Sequence, residues 1–260
     1  MFDDYEGFKK NILSLTGIDL NSYKERQMKR RIDTLANKLG FKDYDSYYKD
    51  LKMNADHRKQ FMNYLTINVS EFYRNPGQWN TLRDNIIPNL LKSGNGELKI
   101  WSAACSTGDE PYTIVMMLKE HFPKVRFSLT ATDLDDLVIA FAKEGNYSQK
   151  SVAGLPKEYL NKYFTKNSDG TYQISKEVIS KVNFKQHNLL SDRYDMNYDL
   201  IVCRNVLIYF TEEAKLYIFK RYYQSLRPEG YLFIGSTEQI IQAKEIGYEL
   251  QHSFFYKKKI

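Results

Sequence analysis

Cysteine and long apolar runs are nearly absent from this sequence. Only two cysteines, Cys105 and Cys203, occur among 260 residues, which is too few for a disulfide framework or a cysteine-rich zinc site. No apolar stretch reaches the roughly 18 residues of a membrane-spanning helix, and Met1–Tyr5 lacks the basic-then-apolar start of a secretory signal. We therefore expect a cytoplasmic protein with two buried thiols, no metal site and no direct membrane insertion.

A strong excess of either charge is also missing. The 38 lysines and arginines exceed the 32 acids by only six, whereas nucleic-acid-binding proteins usually carry a stronger basic footprint. This mild basicity fits an acidic protein partner at least as well as nucleic acid, and we expect no nucleic acid partner. Hydrophobic residues at 42% and aromatic residues at 15% exclude a disordered chain. The length then predicts one large folded domain or two smaller ones.

The first 72 residues have the periodicity of helices. Apolar residues recur at spacings of three and four between Tyr5 and Leu15, and Gly17 ends the pattern. Three further helices are predicted, the first beginning in a capping box at Ser22–Glu25 and the others covering Tyr44–Met53 and Asp56–Leu65. No strand alternation interrupts these patterns, so residues 1–72 are predicted to form a small all-helical domain.

The second predicted helix has one apolar face and one basic face. Its apolar stripe and its stop are Met28, Ile32, Leu35, Leu39 and then Gly40. At about 100° per residue, Arg26, Lys29 and Arg30 lie on the opposite face. A basic face of this size is often merely solvated, but it is also complementary to an acidic helix.

From about residue 95 the pattern changes to strands that alternate with helices. Strands are predicted at Leu98–Ser102, Arg126–Thr132, Val182–His187, Asp199–Cys203 and Tyr231–Gly235, with a final hairpin of Tyr248–Leu250 and Phe254–Lys257. Helices are predicted to begin at Glu110-Pro111, with proline in the first helical position, at Leu134, and after Thr211 as N-cap. This alternation predicts an α/β fold with a mostly parallel sheet and helices on both faces.

The alternation breaks between two of these strands. Residues from about 148 to 181 contain a turn at Asn167–Gly170 and a short strand at Thr171–Ile174, which indicate an inserted small subdomain with its own hairpin. The predicted organisation is therefore a helical domain at 1–72, a linker and first helix at 73–95, and an α/β domain at 96–260 that carries the insertion.

Ligands of parallel sheets bind beyond the carboxyl ends of the strands, so the loops that follow the predicted strands are the candidate ligand sites. Residues 102–111 after the first strand are rich in small side chains but lack G-x-G-x-x-G and the phosphate-binding P-loop pattern. The acids Asp109 and Glu110 disfavour a pyrophosphate and suit an ammonium group. On its own, this loop is also compatible with a purely packing role.

Two other strand ends favour a nucleoside with an amino-acid tail. Asp133 ends the second strand, where an acid commonly accepts hydrogen bonds from ribose hydroxyls, although it could serve only as a helix N-cap. Asn188 and Leu189 follow the third strand and could contact an adenine edge and face. A ligand with both ribose and an amino-acid tail is S-adenosylmethionine.

Three separated motifs then resemble one family. Asn68–Arg74, Trp101–Tyr112 and Cys203–Phe210 are similar to the corresponding segments of CheR-type methyltransferases, which methylate glutamates of bacterial chemoreceptors. The resemblance covers nearly the whole chain in order. It implies a Rossmann-like class I S-adenosylmethionine-dependent methyltransferase fold, with a small N-terminal helical domain and an inserted hairpin subdomain.

The resemblance also implies roles for individual residues. Cofactor contacts would come from Asn68, Ser70, Arg74, Glu110, Asp133, Asn188, Leu189, Arg204 and Asn205. Glu110 would hold the methionyl ammonium and Asp133 the ribose. Arg74 and Tyr209 would lie closest to the transferred methyl group as catalytic residues. Arg26, Lys29 and Arg30 would recognise the cytoplasmic helical region of the receptor, and nothing in the sequence demands more than a monomer.

The substrate determines the expected mechanism. A glutamate carboxylate is already ionised near pH 7, so it needs no general base before it attacks the methyl group, and S-adenosylhomocysteine is the expected product. Two other classes remain open. One is a methyltransferase of the same fold acting on nucleic acid or a small molecule, since fold alone does not define substrate. The other is a non-catalytic scaffold that binds the receptor.

Overall fold

The computed structural model describes residues 4–94 and 96–259. The helices are α1 (Tyr5–Thr16), α2 (Glu25–Lys38), α3 (Tyr44–Met53), α4 (Ala55–Leu65), α5 (Pro76–Thr81), α6 (Ile87–Ser93), α7 (Asp109–His121), α8 (Asp136–Glu144), α9 (Gln149–Val152), α10 (Lys157–Tyr163), α11 (Lys176–Ile179), α12 (Glu212–Ser225) and α13 (Ala243–Ile246). The strands are β1 (Glu97–Ala103), β2 (Arg126–Asp133), β3 (Asn146–Tyr147), β4 (Phe164–Lys166), β5 (Tyr172–Ile174), β6 (Val182–Gln186), β7 (Tyr198–Cys203), β8 (Leu226–Ile234), β9 (Tyr248–His252) and β10 (Phe255–Lys258). No helix in the described ranges is both long and apolar enough to cross a membrane.

These elements form two compact units. The smaller unit contains the described residues up to Ile67 together with Leu207–Leu216, and the larger unit contains Asn68–Val206 and the described residues from Tyr217 onwards. The second segment of the smaller unit is not apparent from the sequence, because it follows strand β7 within the α/β pattern.

The four helices predicted for the smaller unit are confirmed. Helix α1 ends at Gly17, which takes a left-handed conformation and donates its N–H to the Leu13 carbonyl. The apolar residues at helical spacing, including Tyr5, Phe8 and Ile12, are buried. The Phe8 ring stacks on Tyr44 of α3 at a centroid distance of 4.6 Å. The apolar periodicity therefore identifies the sides of these helices that form the core of this unit.

The predicted capping box of the second helix is wrong. Helix α2 begins at Glu25 after Lys24, and no side chain caps it. Ser22 lies instead in a 3₁₀ helix, Leu20–Ser22, and its carbonyl accepts a hydrogen bond from Thr211 at 2.9 Å. The backbone before α2 is thus extended because it pairs with the returning segment, and this pairing replaces the local cap.

The returning segment is bound to the smaller unit by backbone and ring contacts. Tyr23 and Phe210 form an isolated antiparallel bridge, and their rings stack at a centroid distance of 4.7 Å. The Lys24 N–H donates to the Tyr209 carbonyl at 2.9 Å. These contacts set the backbone position of Tyr209, which lies in the 3₁₀ helix Leu207–Tyr209.

The larger unit is built on a seven-stranded sheet of order β6-β2-β1-β7-β8-β10-β9. The first five strands in this order are parallel, and β10 and β9 pair antiparallel at one edge. All six residues of β7 are buried, as expected for an interior strand covered on both faces. The predicted mostly parallel α/β fold is confirmed.

The strand order reverses at β1, which defines where a ligand crevice forms. From β1 the chain proceeds outward through β2 and β6 on one side and through β7 and β8 on the other. Because these five strands are parallel, their carboxyl ends meet at one edge of the sheet. The loops at this edge follow Ala103, Asp133, Gln186, Cys203 and Ile234, and such a switch point is the general ligand position in open α/β sheets.

Helix α7 begins earlier than the sequence predicted. Asp109 is its first residue after Gly108, so Pro111 occupies the third helical position instead of the first. Gly108 has a φ of 87°, and a Cβ there would lie only 2.9 Å from the Cβ of Ala142. This close packing and left-handed conformation require glycine, and they place Asp109 at the buried start of the helix.

The predicted inserted hairpin is confirmed and is part of a slightly larger sheet. Strands β4 and β5 pair antiparallel across the turn at residues 167–170, where the Gly170 N–H donates to the Asn167 carbonyl at 3.1 Å. Strand β3 adds a third strand on the other side of β5. A two-residue strand such as β3 has no periodicity that a sequence pattern could detect.

Candidate functional site

The loop after β1 is held in an uncommon backbone conformation. Ala104 and Ser106 have φ values of 58° and 48°, a region that non-glycine residues seldom occupy and that is concentrated at functional sites. The Ser106 N–H donates to Asp133 at 2.8 Å, and the Cys105 N–H donates to the Thr132 carbonyl at 2.9 Å. These bonds join the loop to the end of the neighbouring strand β2.

Asp133 is buried at the carboxyl end of β2. Its two carboxylate oxygens accept the backbone N–H groups of Ser106 at 2.8 Å and Asp135 at 3.0 Å. Burial nevertheless raises the pKa of Asp133 to about 6, because desolvation of the charged carboxylate outweighs these hydrogen bonds. An acid with such a pKa at a ligand crevice would gain from further donors, such as the hydroxyl groups of a ribose.

Glu110 and Arg204 form an ion pair at the ends of β1 and β7. The Arg204 Nη1 lies 3.6 Å from Glu110 Oε2, and the side chains are 3% and 13% exposed. The Ser102 hydroxyl donates to the other Glu110 oxygen at 2.8 Å. Burial raises the pKa of Glu110 although Arg204 opposes this effect, and burial lowers the pKa of Arg204. For both groups, desolvation on burial is the largest influence on the pKa.

Arg204 also binds the segment just before and within helix α5 of the larger unit. Its Nη2 donates to the Arg74 carbonyl at 2.9 Å and to Gln78 at 2.7 Å. Its guanidinium carbon lies 5.2 Å from the Trp79 ring and 4.8 Å from the Phe233 ring. The Nε–H is buried and has no hydrogen-bond partner among the described residues. A buried donor next to the Glu110 acceptor is complementary to the carboxylate and ammonium of an amino acid.

The predicted cofactor contacts at residues 68–74, which begin the larger unit, lie against the same strand ends. Asn68 Nδ2 donates to Asp135 at 3.0 Å. The Thr107 hydroxyl donates to Asp109, and Ser70 lies near enough to favour the ionised form of this carboxylate. Asp109 is fully buried, and this burial raises its pKa despite the hydroxyl donors. The side chain of Arg74 remains about one-third exposed, and its Nε lies 3.9 Å from Glu71. Arg74 is thus accessible to a ligand at this edge.

The loop after β7 is stabilised by an acid that the sequence analysis missed. Glu238 Oε2 accepts the Asn205 N–H at 3.0 Å and the Gly235 N–H at 2.7 Å. Glu238 is buried, and Asn205 has a left-handed φ of 61°. The only sequence feature that points to Glu238 is its position in the loop after β8, where Gly235-Ser-Thr-Glu follows Ile234. This loop lies at the edge of the sheet where the carboxyl ends of the parallel strands meet.

The candidate adenine contacts are placed at the end of β6. Asn188 is half-buried, and its Oδ1 accepts the Leu190 N–H at 2.9 Å. Leu189 is buried, and its carbonyl accepts the Tyr194 hydroxyl at 2.7 Å. The side-chain oxygen of Asn188 thus already accepts one hydrogen bond within its own loop.

Tyr209 and the three predicted recognition residues belong to the smaller unit. Arg26 and Arg30 are exposed on α2, as the face argument predicts. Lys29 is half-buried, and its ammonium lies 5.4 Å from the Tyr5 ring centroid, so it is not on the exposed basic face. At about 100° per residue Lys29 is separated by only about 60° from Ile32, so it lies at the flank of the apolar stripe, and its long side chain bends back over Tyr5.

The larger unit thus brings together the predicted residues of the linker and of four strand ends. These residues are Asn68, Ser70, Arg74, Glu110, Asp133, Asn188, Leu189, Arg204 and Asn205. The two cysteines are buried and free, and burial raises the pKa of both thiols, so neither is an activated nucleophile. Within the described ranges, no group of three or more His, Cys, Asp and Glu side chains is arranged to hold a metal ion.

Comparison with known families gives two matches that together cover almost the entire chain. Residues 68–254 match the family described as CheR methyltransferase, SAM binding domain, and residues 3–66 match the one described as CheR methyltransferase, all-alpha domain. The first match contains every strand-end residue of the candidate site.

Curated relatives agree with these matches. The chemotaxis protein methyltransferase of Listeria monocytogenes is 39% identical over 255 residues, which cover 98% of this chain and 97% of the relative. Chemotaxis protein methyltransferase 2 of Vibrio cholerae is 32% identical, covering 94% and 88%. The chemotaxis protein methyltransferase of Escherichia coli K12 is 31% identical over 236 residues, covering 87% and 81%.

Proposed function

Because the chain belongs to the CheR methyltransferase family and binds S-adenosylmethionine, we propose that it methylates glutamate side chains of chemoreceptors. The products are glutamate 5-O-methyl esters and S-adenosylhomocysteine. The observation that carries this proposal is the ion pair of Glu110 and Arg204 at the ends of β1 and β7, with Asp133 at the end of the adjacent strand β2, at the switch point of the sheet. These groups provide the acceptors and donors that the cofactor's amino-acid end and ribose require.

The residues at the strand ends fit the cofactor by charge and by hydrogen bonding. Glu110 would accept the methionyl ammonium, and a cation there would offset the desolvation that raises the pKa of this carboxylate. The unpartnered Nε–H of Arg204 suits the methionyl carboxylate. Asp133 would accept the ribose hydroxyls, and Asn205 would line the same loop. Asn188 and Leu189 would flank the adenine, and Asn68 and Ser70 would close the site from the linker.

The bound cofactor supplies a methyl group activated by a sulfonium. The protein's task is then to bring an ionised glutamate into line and to exclude water, because the carboxylate needs no deprotonation near neutral pH. Arg74, which is partly exposed, would attract and orient this carboxylate. Tyr209, whose backbone is held by Lys24, would fix the angle of approach with its hydroxyl. Neither residue moves a proton in this scheme.

Receptor recognition is assigned to the exposed arginines of α2. Arg26 and Arg30 are exposed and lie one helical turn apart, and their charge is opposite to that of a glutamate-bearing helix. Lys29 was predicted with them, but its contact with Tyr5 makes it the weakest member of the set. We expect these contacts to act on the encounter rate more than on the chemical step. The protein would act in the cytoplasm as a monomer.

The test is transfer of a labelled methyl group to receptor-containing membranes. The expected result is base-labile label on the membrane receptor. Mass spectrometry of receptor peptides should find 14 Da added to glutamates, as a methyl ester requires. Arg74→Ala serves as the control that should reduce the label. Label on nucleic acid or on a small molecule, in place of receptor, would support a different methyltransferase. No transfer at all would support a scaffold, which is the second candidate left by the sequence.

A further inference from the structure

Glu238 has no role in the cofactor contacts proposed above, yet it is one of the few buried acids at the ligand edge. The residue is only 8% exposed. A single carboxylate oxygen accepts two backbone N–H groups, from Asn205 at 3.0 Å and from Gly235 at 2.7 Å. One side chain therefore ties the loop after β7 to the loop after β8.

The bond to Asn205 reaches a residue that needs support. Asn205 has a φ of 61°, in the left-handed region, which asparagine enters more readily than most other non-glycine residues but at a higher cost than glycine. A hydrogen bond to the backbone of this residue therefore helps to select this conformation. The Glu238 hydrogen bond is made to the N–H of that same residue and thereby fixes the peptide that leads from Arg204 to Asn205.

Gly235 shows how tightly this junction is packed. A Cβ at Gly235 would lie 2.7 Å from the Asn205 nitrogen, 2.7 Å from Glu238 Oε2 and 2.9 Å from Asn205 Nδ2. Atoms of the Asn205 backbone, the Asn205 side chain and the Glu238 carboxylate thus all surround one position. The space is available only because residue 235 has no side chain.

We propose that Glu238 is a positioning residue for cofactor binding, which acts by holding Asn205 in its left-handed conformation. This inference rests on the proposed role of Asn205 in the cofactor site. The effect of Glu238 on cofactor affinity would come from its two hydrogen bonds. The charge of Glu238, which acts on Glu110 and Arg204 at longer range, would contribute little.

Two substitutions separate hydrogen bonding from charge. Glu238→Gln keeps the length of the side chain and one acceptor oxygen but removes the charge. Glu238→Asp keeps the charge but withdraws the carboxylate by one methylene, too far to reach both N–H groups. Calorimetry with S-adenosylhomocysteine should find Glu238→Gln within about threefold of the wild type and Glu238→Asp weakened by about tenfold or more.

Asp199, a buried acid near the start of β7, provides the control, because Asn205 follows the other end of this strand. Asp199 accepts the Lys99 N–H at 2.7 Å and pairs with Arg227 at 2.5 Å, so Asp199→Ala should lower the melting temperature. Because Asp199 lies at the start of β7, away from the ligand edge, its loss should leave the affinity for S-adenosylhomocysteine unchanged. A Glu238→Asp effect that merely followed lost stability would appear in this control as well.

The outcomes are distinct. Wild-type affinity in Glu238→Asp, or an affinity in Glu238→Gln as low as in Glu238→Asp, would overturn the inference. Failure of the wild type to bind S-adenosylhomocysteine, or unchanged affinity in Asn205→Ala, would instead remove the proposed role of Asn205 on which it rests. Loss of affinity in Asn205→Ala, with no further loss when Glu238→Asp is added, would support positioning through Asn205.

Discussion

The affinity of the protein for S-adenosylhomocysteine should fall as the solution becomes acidic, and Asp133 determines where this begins. Burial raises the pKa of Asp133 to about 6. Ribose hydroxyls donate hydrogen bonds, so they favour the ionised carboxylate and lower its pKa in the complex. Binding then requires that a protonated Asp133 first lose its proton. The affinity should therefore be constant above about pH 7 and decrease below pH 6.

The size of the effect follows from that pKa. At pH 5 roughly one Asp133 in ten is ionised in the free protein, which lowers the apparent affinity about tenfold, or about 1.4 kcal/mol. At pH 5.5 binding should release roughly three-quarters of a proton. The pKa of Glu110 is also raised by burial, and because this carboxylate would accept the methionyl ammonium, its protonation acts with the same sign. The decrease with acidification is thus expected to be at least this steep.

The measurement is isothermal titration calorimetry with S-adenosylhomocysteine between pH 5 and 8, in buffers of different ionisation enthalpy. Asp133→Asn is the control variant, in which the inflection near pH 6 should be lost. Because Asp133 also accepts the N–H groups of Ser106 and Asp135, its substitution will reduce stability as well, so each variant needs a melting curve. Constant affinity across this range, without proton release, would refute the role of a buried acid in ribose binding.

The remaining predictions concern turnover, recognition and the buried ion pair. Arg74→Ala and Tyr209→Phe should each lower kcat while the melting temperature is unchanged. For the wild type at saturating methyl donor, kcat should stay constant from about pH 6 to 8.5, and a tenfold rise per pH unit would indicate a general base. Reversing the charge of Arg26 and Arg30 to Glu should slow receptor methylation most at low salt, and normal rates there would exclude recognition by this face. Arg204→Met should lower stability by about 3–5 kcal/mol, because a buried acid loses its partner, and a melting temperature equal to that of the wild type would contradict this.

The sequence predicted the features that depend on local periodicity and on residue type. Local patterns identify the apolar stripe around Phe8, the strands of the parallel sheet, and the acids Glu110 and Asp133 at the strand ends. The resemblance to CheR-type methyltransferases is confirmed. The predicted capping box at Ser22 failed because the backbone there pairs with Thr211, far along the chain. Long-range pairing of this kind has no local pattern.

Glu238 illustrates the same limit at the candidate site. Its neighbours in sequence do not distinguish it from any polar loop residue, and its importance arises only when β7 and β8 lie side by side in the sheet. The third strand of the insertion and the burial of Lys29 against Tyr5 depend likewise on tertiary packing. Residues that support a site through the backbone are therefore harder to predict than those that contact a ligand directly.

The return of Leu207–Leu216 to the helical unit has a consequence for protein synthesis. Helices α1 to α4 leave the ribosome before the α/β unit. Phe210, which forms the isolated bridge with Tyr23, is made only after more than half of the chain has followed. Domains usually fold as units in the order of their synthesis, and contacts between residues distant in sequence form slowly. The contacts of Tyr23 and Lys24 with this segment therefore form only after Phe210 has emerged. Release of the N-terminal 67 residues alone would yield a unit that lacks its own closing segment.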